Sequence, residues 1–149
     1  MSTLRPAVAA DVPAVQAIVN AAYAIYLPRM AKPPGPMLDD YLVLVAGGHV
    51  SVLEQDGEIA GVVVLLPQDD HLLLDNVAVS PAHQGRGLGR VLIAFAEQEA
   101  RRLGFDEVRL YTHVVMTENQ ALYARLGFEE THRGEQHGYE RVFMRKQLA

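Results

Sequence analysis

Apolar residues recur along this chain with two spacings, and the switches between them lay out its elements. Leu4 to Val8 reads as a short first strand. Asp11 then stands where a helix cap is wanted, with Pro13 just inside. Val12, Val15, Ile18, Val19 and Ala22 mark one face of a helix ending near Tyr23 to Ile25. Tyr26 to Pro36 is too rich in proline to continue it and reads as a loop. Met37 to Ala46 returns to helical spacing and stops at Gly47-Gly48. Val50 to Glu54 and Ile59 to Leu66 carry β-branched residues on both sides of Asp56-Gly57, a hairpin signal, and Leu72 to Val79 is the next strand. Beyond a glycine-spaced loop, Val91, Leu92, Phe95, Ala96 and Leu103 give a helix with a buried stripe. Val108 to Thr112 is a short strand, and Thr117 with Gln120 resembles a capping box opening the helix Glu118 to Leu126. Phe128 to His132 and Tyr139 to Met144 close the chain as a strand pair around the polar turn Arg133 to Gly138.

That order predicts the α/β (α+β) class: a mixed, mostly antiparallel sheet of six to seven strands with about four helices, all in a single domain over residues 1–149. A helical crossover separates Leu72 to Val79 from Val108 to Thr112, so these two are expected to be parallel neighbours. Composition changes the picture little. Half the residues are hydrophobic and the net charge is −5, which argues against nucleic acid as the main partner. Cysteine is absent, which removes thiolate chemistry and disulfides. The longest apolar run, Ile59 to Leu66, is too short to span a bilayer as a helix, and the N-terminus lacks a secretory pattern. A cytoplasmic location without membrane attachment is the expectation. The six histidines show no metal-ligand spacing, so no metal is expected.

The chemistry concentrates at Gln84-Gly85-Arg86-Gly87-Leu88-Gly89-Arg90. A strand, a glycine loop and a helix in that order make an anion site, because the first amides of a helix lack partners and carry the positive end of its dipole. The spacing is neither the dinucleotide fingerprint nor a P-loop. On its own it allows a pyrophosphate cradle or a plain helix-starting turn in equal measure.

Asn76 to Gly89 resembles motif A of the GNAT-type N-acetyltransferases, whose acetyl-CoA loop is written Q/R-x-x-G-x-G/A; Gln84, Gly87 and Gly89 match it. Asn119 to Phe128, some thirty residues on, resembles motif B of the same family. The resemblance covers nearly the whole chain. It implies acetyl-CoA as co-substrate, wedged where the strands at Leu72 and Val108 splay. Backbone of Val77, Ala78 and Val79 would pair with the pantetheine arm, and the amides of Gly85, Arg86, Gly87, Leu88, Gly89 and Arg90 would hold the pyrophosphate. It implies direct attack of a primary amine of a small molecule or peptide on the thioester, an oxyanion donor near Val77, and Tyr123 as general acid toward the leaving thiolate. Met116 replaces the asparagine that many members carry seven residues before this tyrosine. Asn119, one helical turn before Tyr123, either contacts the cofactor or helps cap the helix.

Asp75, on the strand beside the expected thioester, is the first candidate for general base, with a structural role at a bulge as the alternative; His113 is the second candidate. The acceptor is expected between Tyr23 to Pro36 and Arg133 to Gly138, a region containing Tyr26, Arg29, Lys32, Glu135 and His137, although the proline-rich loop reads equally as an exposed linker with solvated charges. A homodimer is a possible assembly. Two rivals stand beside the transferase: a non-catalytic coenzyme A-binding sensor of the same fold, and another phosphate-binding enzyme such as a nucleotide-dependent transferase.

Overall fold

Strands apolar on both sides belong in the middle of a sheet covered on both faces, and the computed structural model, which describes residues 2–148, places them there. Its strands are β1 (Ser2–Pro6), β2 (Val50–Gln55), β3 (Glu58–Pro67), β4 (Leu72–Val79), β5 (Glu107–His113), β6 (Glu129–Gln136) and β7 (Tyr139–Gln147). They form one sheet in the order β1-β2-β3-β4-β5-β7-β6. Every pairing is antiparallel except β4 with β5, which are parallel as expected because α4 (Leu88–Arg102) crosses between them.

One face carries α4 and α5 (Thr117–Arg125). Leu92, Ile93, Ala96 and Ala100 pack there on Leu72, Leu74, Val108, Leu110, Val142 and Met144. The other face carries α1 (Val12–Tyr23), the short α2 (Gly35–Leu38) and α3 (Tyr41–Ala46). Val15, Ile18, Val19 and Tyr41 pack there against Val50, Val52, Val62, Val64 and Ala78. The apolar stripe of α4 runs through Leu88, Leu92, Ile93, Ala96 and Ala100, while Val91 and Leu103, expected within it, are exposed. Among the described residues no helix is long and apolar enough to cross a membrane.

The feature that makes room for a site is a bulge in β4. Leu65 of β3 pairs with Leu74 and Val64 with Asn76, leaving Asp75 as the extra residue. A bulge bends its strand and increases the local twist. The ladder to β5 accordingly lasts for only three pairs, Leu72 with Val108, Leu73 with Arg109 and Leu74 with Leu110. Beyond them β4 stays with β3, β5 stays with β7 as far as His113 opposite Arg141, and the two strands part.

Several local expectations shift. The first strand is Ser2–Pro6, two residues earlier than read, with Ala7 still donating to the Val50 carbonyl at 2.9 Å. The expected helix Met37 to Ala46 is two, broken where Asp40 caps α3 through its carboxylate and the Val43 amide at 3.3 Å. Residues 24–29 continue α1 as a 3-10 turn despite Pro28. The capping box at Thr117 does not form. Met116 occupies the cap, and Gln120 instead donates to the His113 and Val114 carbonyls at 3.0 and 3.1 Å. The last turn shrinks to His137-Gly138, both with positive φ, so residues 133–136 belong to β6.

Candidate active site

The parted edge of β4 opens into a groove. The Val77 carbonyl accepts from the Tyr23 hydroxyl at 3.4 Å, and the Val79 carbonyl from Gln84 Nε2 at 3.3 Å. In a strand the N–H and C=O of one residue point to the same edge and alternate along it. Val77 and Val79 therefore present both groups to the groove. The backbone of Ala78, expected to act with them, pairs toward β3 instead, and its side chain fills the core under α1.

After the 3-10 turn Pro81–His83, Gly85 and Gly87 adopt φ of +82° and +76°, a region glycine enters without penalty. Gly87 is the cap of α4, and the first bond into the helix runs from the Val91 amide to its carbonyl at 3.3 Å. The amides of residues 85–90 find no acceptor among the described residues. Six consecutive donors thus stand free at the positive end of a 15-residue helix. A Cβ added at Gly85 or Gly87 would meet nothing within 4 Å, so the space before them is open. Gln84, Gly85, Gly87, Leu88, Gly89 and Arg90 all line the groove. Leu88 does so with its side chain buried in the core. Arg86 is absent from the lining, and its charge is felt at Asp56 in the turn between β2 and β3. Arg125 of α5, which lies within the motif B stretch but is not singled out there, lines the groove in its place.

On the other side of the parting lies a cavity bordered by Asp75 and Asn76 from β4, Tyr111 and His113 from β5, and Tyr123, Tyr139 and Arg141. Groove and cavity share Tyr23 and Asn119, which border both. Asp75 accepts from the Tyr111 hydroxyl at 2.8 Å. Burial pushes its carboxyl up from the ordinary range, opposed by that hydrogen bond and by the Arg141 charge. Tyr123 is buried against Phe128, its hydroxyl has no hydrogen-bond partner among the described residues, and burial pushes its phenol up. His113 is pushed down by burial. Its Nδ1 accepts from the Val115 amide at 3.2 Å, which leaves the proton on Nε2. Asn119 caps nothing; its amide rests 3.9 Å from the Met116 sulfur.

A buried relay holds this end of β4 in place. The Tyr23 hydroxyl donates to Asn76 Oδ1 at 2.8 Å, Asn76 Nδ2 donates to the Tyr41 hydroxyl at 3.0 Å, and Tyr41 donates to the Pro36 carbonyl at 2.5 Å. The proline loop expected beside the acceptor borders the cavity, but its charged residues are engaged elsewhere. Arg29 pairs with Glu118 at 2.8 Å, Lys32 donates to the His137 carbonyl at 2.7 Å, and Tyr139 donates to the Pro33 carbonyl at 2.5 Å. These three bonds strap the proline loop across the cavity. The loop's Met30, Pro34, Gly35 and Pro36 form the wall, and Tyr26, Arg29, Glu135 and His137 stay outside it.

This arrangement of a bulged strand, a free-amide loop and a parted sheet has relatives. The profile of the acetyltransferase (GNAT) family matches residues 15–128. The chain belongs to this family. Among similar GNAT-family sequences, the uncharacterized N-acetyltransferase YjgM of Escherichia coli is 33% identical over 128 residues, covering 80% of this chain and 77% of that protein. N-acetyltransferase family 8 member 3 of Rattus norvegicus is 36% identical over 86 residues, 54% of this chain and only 38% of that longer protein. The putative acetyltransferase yncA of Salmonella typhimurium, solved with acetyl-CoA, superposes with a TM-score of 0.74 at 27% identity over 99% of this chain and 94% of that one. A Thermoplasma acidophilum N-acetyltransferase, paia, in complex with coenzyme A reaches 0.82 at 15% identity over 99% of both chains, a likeness of fold alone.

Proposed function

We propose that residues 1–149 act as one acetyl-CoA-dependent N-acetyltransferase domain whose acceptor is a primary amine of a small molecule or peptide. The observation that carries this is the parting of β4 from β5 after three pairs, with a free-amide groove on one side and a titratable cavity on the other. The donor set fits the co-substrate. Six unpaired amides suit a pyrophosphate, Arg90 and Arg125 add charge beside them, and the Val77 and Val79 edge suits the amides of a pantetheine arm. Bound there, acetyl-CoA supplies an acetyl group activated as a thioester.

The roles of the side chains follow from position. Asp75, with its raised affinity for protons, takes the proton of the incoming ammonium. The Val77 amide donates to the developing oxyanion. Tyr123, neutral at physiological pH and without an internal partner, gives its proton to the leaving sulfur. Asn119, at the junction of groove and cavity, touches the co-substrate near the thioester. His113 is poorly suited to base work, because the nitrogen it has free carries the proton.

The test has two arms. Acetyl-CoA is expected to raise the melting temperature while ATP and NAD leave it nearly unchanged. Release of free thiol is then followed with a panel of primary amines. Stabilisation without transfer to any amine supports a coenzyme A sensor, and stabilisation by ATP or NAD alone rejects the coenzyme A reading.

A further inference from the structure

Primary amines are a broad class of acceptor, and one residue in the cavity narrows it. Arg141 is 9% exposed. Burying a guanidinium is costly unless its charge and its donors are answered. Here they are answered only in part. One donor, Nη1, reaches the neutral Gln136 side chain at 2.5 Å, and the others have no acceptor among the described residues. Among the described residues no carboxylate forms an ion pair with Arg141, although the cavity wall includes Asp75. The guanidinium lies 3.9 Å from the centre of the Tyr111 ring and 5.5 Å from that of Tyr139. Two aromatic faces thus fix the plane of a charged fork that lines the cavity with donors to spare.

We propose that the acceptor bears a carboxylate a few bonds from its amine, as an amino acid does, and that Arg141 binds that carboxylate. This rests on the transferase reading above. Tyr111 sets the spacing. Its hydroxyl holds Asp75 at 2.8 Å and its ring holds Arg141, so the anion and cation stand one tyrosine apart. An ammonium directed to Asp75 places a neighbouring carboxylate against Arg141, where a planar fork binds it with two parallel hydrogen bonds. The alternative is that Arg141 merely offsets the field of Asp75 and of Asp39, another partly buried carboxylate whose ionisation it favours. Against that, neither carboxylate is within pairing distance, and the fork keeps unused donors facing the cavity.

The experiment compares matched acceptors, amino acids and their carboxamides, by thiol release from acetyl-CoA. The wild-type protein is expected to prefer the carboxylates by about ten- to a hundredfold in kcat/KM, expressed in KM, the range of a charge-assisted hydrogen bond. In R141Q that preference falls to near one. R141K, which keeps the charge but loses the fork, falls between. An unchanged melting shift with acetyl-CoA shows that the variants are folded, and if they are not, the wild-type comparison decides alone. Equal use of both sets, or preference for the carboxamides, overturns the carboxylate proposal and leaves the transferase reading intact. Transfer to neither set, nor to any other amine, overturns both.

Discussion

Replacing Tyr123 by phenylalanine separates catalysis from folding unusually well. The phenol ring is buried, and its contact with Phe128, at 6.0 Å between ring centres, survives the change. Its hydroxyl makes no hydrogen bond to the described residues, so nothing inside the protein loses a partner. The expected stability change is within about 0.5 kcal/mol, or roughly 2 °C in melting temperature for a chain of this size. Gly85, Gly87, Leu88, Gly89 and Arg90 line the groove, which Tyr123 does not, so acetyl-CoA affinity should hold. Turnover should not. A positioned general acid contributes about a hundred- to ten-thousandfold, or roughly 3–5 kcal/mol of barrier. The assay is steady-state thiol release with a proven acceptor, alongside melting curves with and without acetyl-CoA. Undiminished kcat in a folded Y123F protein refutes the acid assignment. A loss of 2 kcal/mol or so of stability refutes the premise that the hydroxyl is unpartnered.

Asp75 gives a pH prediction. Burial raises its folded pKa, so activity that needs its carboxylate falls away as pH drops through that raised value. D75N should lower turnover by about a hundredfold or more and abolish this acidic limb. The folded state also holds this proton more tightly than the unfolded state. Its stabilising contribution is present at low pH and lost as pH rises, so D75N should melt higher than wild type near neutrality but not under acidic conditions, checked between about pH 4 and pH 8. Asn76→Ala removes two hydrogen bonds from the buried relay and leaves a small void; about 2–4 kcal/mol should be lost in denaturant titrations. A double-mutant cycle with Tyr23→Phe should be non-additive. Gly87→Ala and Gly48→Ala both force alanine to a φ near +77°, at a cost of roughly 1–2 kcal/mol each. Only the first should also weaken acetyl-CoA binding, read by titration calorimetry.

The elements built on repeated spacing were legible in the sequence, because burial on both faces of β3 and β4 and the stripe of α4 leave long, redundant patterns. The glycine loop and Tyr123 could be named as candidates because they sit in contiguous motifs. On the acceptor side Asp75 stood out by its place on the strand, but its neighbours did not. Tyr23, Tyr111 and Arg141 come from three other elements and meet it only because β4 and β5 part, a long-range event with no local signature. Arg141 left a faint one, since strand alternation puts it on the same face as Tyr139 and Phe143, where a charge is out of place. Lys32 and Arg29 misled for a related reason. Their loop was correctly placed at the cavity, but the carbonyls and the carboxylate that hold them belong to residues about 90 to 105 positions away, which spacing cannot reveal. Thr117 lost its capping role because Gln120 had better acceptors in the chain before it.

The bulge at Asp75 acts on β4 much as a single inserted base acts on a reading frame. Before it, Leu72 and Leu74 face α4; after it, Asn76 and Ala78 face α1, while Val77 and Val79 pack toward α4. Deleting Asp75 would restore the uninterrupted alternation with Asn76 and Ala78 still toward α1 and Val77 and Val79 still toward α4, and would take away the bend instead. β4 would then run on beside β5, and the parting that opens the groove and the cavity would close. Length variation in related chains is therefore expected in the turn at residues 68–71 and in the proline loop, whereas the count of residues from Leu72 to Gly87 should be kept even where their identities drift.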